Sequence, residues 1–231
     1  MKTKTFACLA GISLATAAQA GTPAIETAPA TSAGLWQWFV GASAGYLTDL
    51  DEGMYGLQAG MEYRPSGERA SHAIYLEIGF TQDDASYSNV PAPGTTGGIT
   101  ADASIDLDII PITLNYRYQS AITDRLNWHA GLGLGVAILD SSYDWSWSQV
   151  VAPPYPSSGK GDGDDSDVVF FGDVFAGLSY DVSESFCIIA GVRYIFMDNK
   201  DWEIEQKGVS YAYEGGIDGD VLVEIGARYR F

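Results

Sequence analysis

The chain has 231 residues, a formal net charge of -18 and 27 glycines, and 13% of it is aromatic. That length suits a single domain, and so acidic a balance excludes nucleic-acid binding as a main role. No stretch beyond the N-terminus is apolar for long enough to cross a membrane as a helix, so any membrane residence requires strands.

Residues 1–20 read as a secretory signal: Lys2 and Lys4, an apolar run over 6–18, and the small-x-small site Ala18-Gln19-Ala20 before Gly21. Its removal leaves Cys187 as the one cysteine, so no internal disulfide can form. Residues 21–36, rich in Ala, Thr and Pro without periodicity, read as a disordered lead-in.

Beyond it, apolar residues recur at every second position, the period of a strand. Eight segments carry the pattern: 38–47, 55–64, 73–81, 104–118, 126–139, 168–181, 186–196 and 220–231. In the fifth, Trp128, Ala130, Leu132, Leu134, Val136 and Ile138 alternate with His129, Gly131, Gly133, Gly135 and Ala137. The segments approach or exceed the roughly 9–11 residues that a tilted spanning strand needs. The connections 65–72, 119–125 and 182–185 are short, whereas 82–103, 140–167 and 197–219 are long, acidic and rich in Gly, Pro or Ser. Short turns alternating with longer loops mark a transmembrane barrel, and an even strand number sets both termini on the short-turn, periplasmic side. Aromatic residues sort to the strand ends, where amphipathic rings favour the headgroup level. Trp38, Tyr63, Tyr116, Tyr118, Trp128, Tyr180, Phe186, Tyr229 and Phe231 fall at one end, and Tyr46, Tyr55, Phe80, Tyr194 and Phe196 nearer the other.

The stretch Ile110-Pro111-Ile112-Thr113-Leu114-Asn115-Tyr116-Arg117-Tyr118 and the terminal Ala227-Arg228-Tyr229-Arg230-Phe231 resemble the OmpA-like, OmpX-like and opacity-type small barrels of the Gram-negative outer membrane. The resemblance covers the chain from about Trp38 onward and implies an all-β fold over 37–231, an eight-stranded antiparallel transmembrane β-barrel with short periplasmic turns and longer outer loops. It further implies that Tyr229 and Phe231 form the signal read by the barrel-assembly machinery, and that outer-membrane lipid and lipopolysaccharide surround a monomer. The chain departs from OmpA in having no peptidoglycan-binding domain after the barrel, so cell-wall anchoring is not implied.

The inward face carries Glu62, Arg64, Glu77, Asn115, Arg117, His129, Asp173, Arg193, Glu224, Arg228 and Arg230. The interior of an eight-stranded barrel is just wide enough to be filled by side chains. Glu62, Arg64, Glu77, Arg117, Asp173, Arg193, Glu224 and Arg228 therefore read as a structural network of carboxylates paired with arginines. The competing reading is a narrow porin-like path for small solutes. A lipid hydrolase needs a His beside a Ser nucleophile; the two histidines of the mature chain, His72 and His129, stand in no such motif, so no catalytic residues and no cofactor are assigned. Asp162, Asp164, Asp165 and Asp167 offer oxygen ligands for Ca²⁺, but Asp167 stands where an EF-hand pattern requires Gly, and a solvated acidic loop is the preferred reading. Tyr143, Trp145 and Trp147 in the same loop, with Trp202 in the next, are the candidates for binding an unknown extracellular ligand. Residues 202–206 and 209–213, around Lys207-Gly208, read as a hairpin standing clear of the membrane. The function expected from the sequence is a structural, surface-presenting barrel whose acidic, aromatic loops serve adhesion.

Overall fold

Period-two segments of this kind can satisfy their backbone groups in lipid only by pairing side by side until no edge remains. The computed structural model describes residues 35–91, 99–149, 157–198, 200–206, 209–215 and 219–231. Its strands are β1 (Leu35–Leu47), β2 (Glu52–Arg64), β3 (Ala70–Pro91), β4 (Ile99–Ala121), β5 (Leu126–Gln149), β6 (Ser157–Asp181), β7 (Phe186–Met197), β8 (Lys200–Gln206), β9 (Val209–Gly215) and β10 (Asp220–Arg230). Eight of them close an antiparallel ring in the order β1-β10-β7-β6-β5-β4-β3-β2. The seam is nine residue pairs long, from Phe39 opposite Arg230 to Leu47 opposite Leu222. Among the described residues the remaining two, β8 and β9, pair with each other alone, as the hairpin reading expects. The signal segment and most of the lead-in lie outside the described residues, although Leu35 and Trp36, assigned to the lead-in, already belong to β1.

Alternate residues face outward and inward as the sequence period dictates. Leu57, Leu76, Leu114, Leu134 and Ile225 are each more than half exposed; a continuous band of this kind is stable against hydrocarbon and not against water. Trp36, Trp38, Tyr116, Trp128, Tyr180, Phe186, Tyr229 and Phe231 ring the end that carries the short turns, and Tyr46, Tyr55, Phe80 and Tyr194 ring the other. His72, read as a turn residue, lies instead within β3, its Nδ1 2.8 Å from the Tyr116 hydroxyl.

The expected outer loops 82–103 and 140–167 are for the most part not loops. β3, β4, β5 and β6 run to 22, 23, 24 and 25 residues, against 11 to 13 for the other barrel strands. Pairing of β2 with β3 ends at Tyr55 and Phe80, and pairing of β6 with β7 ends at Phe171 and Met197. Beyond those points β3–β6 continue as a four-stranded sheet, rising roughly 30 Å past the ring at the usual strand pitch. Outside lipid the sheet needs no apolar face, so Asp, Ser and Gly replace the alternation that marks a spanning strand. A bulge between Tyr87 and Val90 shifts the β3–β4 register near its tip.

Candidate functional site

Two layers fill the barrel interior. Toward the extended rim the inward positions are apolar: Leu47, Leu107, Ile109, Leu139, Phe171, Ile195 and Leu222 are all under 4% exposed and pack as one cluster across the lumen. This stopper was not anticipated, because apolar residues inside a barrel carry the same period as those outside and only the register distinguishes them. Below it the charged side chains meet. Arg193 reaches three carboxylates, Asp173 and Glu77 at 3.2 Å and Glu224 at 3.5 Å. Glu62 faces three guanidiniums, Arg64 at 3.1 Å, Arg230 at 3.3 Å and Arg117 at 3.5 Å, and Arg230 also holds Asp181 at 2.9 Å. Such multiple pairing offsets the cost of taking these charges out of water.

Two expected network members behave differently. The Arg64 side chain is 45% exposed at the short-turn rim, because β2 ends there. Arg228 is buried, yet it rests on Gln58 and on the ring of Phe39 in place of a carboxylate. Asp220 went unrecognised in the sequence. Its carboxylate accepts the N–H groups of Thr48, Asp49, Leu50 and Val221 and the Thr48 hydroxyl at 2.6–3.2 Å. It thereby ties the β1–β2 turn to the first residue of β10, where Gly219, with φ at 82°, turns the chain back into the wall. The inward parity of Asp220 was readable; its partners, some 170 residues away in the chain, were not.

The extension places the binding candidates on sheet, not loop. Tyr143 and Trp145 stand opposite Gly163 and Gly161 on β6, and their rings occupy the space that a glycine Cβ would take. This aromatic-over-glycine packing covers backbone that would otherwise be bare. Trp147 falls opposite Gly159 in the same register, and Trp202 pairs with Tyr213 in the hairpin; the side chains of Trp147 and Trp202 lie outside the described residues. Asp162 and Asp164 share one face of β6, and the period of the strand sets Asp165 and Asp167 on the other. A straight strand cannot wrap these four around one ion as a Gly-containing loop would, and the described residues hold no group of three or more His, Cys, Asp or Glu side chains suited to a metal. His129 faces the lumen beside Phe175.

The extension is strongly acidic. Across 81–91, 99–109, 139–149 and 157–169 there are eleven aspartates and a single lysine, Lys160. Three cross-strand pairs set aspartate directly against aspartate: Asp84 with Asp106, Asp108 with Asp140, and Asp144 with Asp162.

A closed ring with a lipid-suited outer band and charged filling also matches at the level of sequence. The family model of the outer membrane protein beta-barrel domain matches residues 5–231. The chain belongs to this outer-membrane β-barrel family. No curated protein matches the chain. Among solved structures, Ail of Yersinia pestis, in complex with the heparin analogue sucrose octasulfate, is 15% identical; the match covers 86% of this chain and 99% of Ail, with a TM-score of 0.36. OprH of P. aeruginosa is 18% identical over 84% of this chain and 99% of its own, at 0.40. A major outer membrane protein of Thermus thermophilus is 12% identical over 85% and 100%, at 0.47. The family assignment rests on the sequence match, and with it this outer-membrane barrel takes its place in the bacterial envelope.

Proposed function

We propose that this outer-membrane barrel is a non-catalytic anchor that stands its four-stranded extension outside the cell for adhesion to positively charged partners. The observation that carries the reading is the extension itself, a sheet with eleven aspartates against one lysine and, among the described residues, an unpaired edge along each of β3 and β6. Sheet edges present unpaired backbone groups, and exposed charge steers partners of opposite sign toward them. In this arrangement Leu35 and Phe231 lie at the periplasmic end of the barrel, and the apolar stopper disfavours the porin-like alternative.

The test uses cells producing either the whole protein or a variant in which 83–105 and 142–165 are each replaced by a short turn. The whole protein should promote attachment to cationic surfaces, weakening as salt rises, and an external protease should cut the extension on intact cells. Equal attachment by the trimmed variant, or an extension out of reach of the protease, would refute the reading.

A further inference from the structure

Among the described residues one buried arginine of the lumen has no carboxylate in direct contact, because three of the carboxylates gather on Arg193. Arg193 is engaged with Glu77, Asp173 and Glu224, while Arg117 and Arg230 share Glu62, with Asp181 on Arg230. Among the described residues no carboxylate stands within ion-pair distance of Arg228, which is 2% exposed. Its Nη2 donates to Gln58 Oε1 at 2.6 Å, and its guanidinium carbon lies 4.2 Å from the centre of the Phe39 ring and 5.6 Å from that of Tyr75. A neutral amide and two rings offset part of the cost of burying a full charge, not all of it. Both Nε and Nη1 of Arg228 meet no acceptor from the protein.

The same side chain borders a cavity of about 20 Å³ inside the barrel. Three guanidiniums line it, those of Arg117, Arg193 and Arg228, together with His129, whereas Glu224 is the one carboxylate. Arg117 Nε, Arg193 Nε and His129 Nδ1 are likewise without a protein partner. Side chains with unmatched N–H groups, those of Arg117, Arg193 and Arg228, thus surround a space that suits one water-sized guest. A water would accept hydrogen bonds there but give Arg228 no counter-ion in contact. A tetrahedral oxyanion is too large.

We propose that the lumen binds a single halide-sized monovalent anion against Arg228. Gln58, Phe39 and Arg228 belong to β2, β1 and β10, so the anion would fasten the strands on either side of the seam.

The test is thermal unfolding of the protein extracted from outer membranes in detergent, at one ionic strength, with chloride, bromide or the bulky anion gluconate. The wild type should unfold at higher temperature in either halide, with the ratio of folded to unfolded protein rising about tenfold at a halide level ten times its dissociation constant. Gln58→Glu supplies a resident carboxylate to Arg228. It should unfold above the wild type in gluconate and gain nothing from halide. Arg228→Met should lose the halide effect as well, and crystals grown in bromide should show anomalous scattering in the cavity. A wild-type midpoint indifferent to the anion would mean that the cavity takes water and would overturn the proposal. So would a full halide effect retained in Gln58→Glu, which keeps the fold and replaces only the ligand.

Discussion

Single residues do unequal work in this barrel, and Asp220 does more than its position in a strand end suggests. Its carboxylate accepts four backbone N–H groups, and hydrogen bonds to a charged acceptor are worth about 1.5–3 kcal/mol each when broken singly. Asp220→Ala should therefore lower stability by roughly 2–3 kcal/mol and free the β1–β2 turn, which amide exchange at Asp49 and Leu50 will read. On β5 two adjacent residues test the two faces of the wall. Leu132 is outward and 46% exposed, so Leu132→Arg should cost roughly 2–4 kcal/mol in a lipid folding titration. Gly133 is inward, and the Cβ of Gly133→Ala would fall on Asn115 Oδ1 and Asp173 Oδ2, crowding the Arg193 cluster at a cost of roughly 1–3 kcal/mol. A neutral Leu132→Arg would mean that the faces of β5 are reversed. Which residues face inward was legible from the period of two. That Arg228 lacks a carboxylate was not, because it depends on which side chains meet across the lumen.

At the level of the strand, the sequence showed where each element crosses lipid but not how far four of them continue. Apolar alternation exists because lipid or a core demands it; past the membrane Asp, Ser and Gly interrupt it. A weaker trace of the extension is still visible. Tyr143, Trp145 and Trp147 alternate with Asp144 and Ser146, and Gly159, Gly161 and Gly163 alternate with Lys160 and Asp162, the two halves of one register. The extension also has a titratable weak point. Partial burial pushes the Asp83 carboxyl upward from the ordinary aspartate range, and Asp84 and Glu52 push it further. The folded state then holds that proton more tightly than the unfolded one, so this contribution is complete below the usual aspartate pKa and is lost as pH rises through the raised value. Asp83→Asn removes it. The melting of the extension, followed by near-ultraviolet circular dichroism of its aromatic residues, should fall less steeply with rising pH in the variant than in the wild type. Equal slopes would show that Asp83 titrates as it does unfolded.

For the whole molecule the ring is what matters, since a sheet that closes has no edge within lipid to pair with a neighbour. Its final pairing joins strands at opposite ends of the chain, residues 39–47 with 222–230. Deleting Phe231 removes one hydrogen bond, from its N–H to Trp38 O at 3.0 Å, and should lower assembly in cells much more than it lowers the unfolding midpoint of assembled protein. Equal losses in the two measurements would reduce Phe231 to a packing residue. The same seam bears on the order of the chain. Because β1 and β10 run side by side and Phe231 bonds to Trp38, a short linker from Phe231 to Leu35 could join the old ends and new ends be cut in the turn 182–185. The circular permutant would keep every strand pairing while carrying Tyr229 and Phe231 in mid-chain. If it refolds into detergent as well as the natural order does, yet is left uninserted by the cell, the address and the architecture of this barrel are separable.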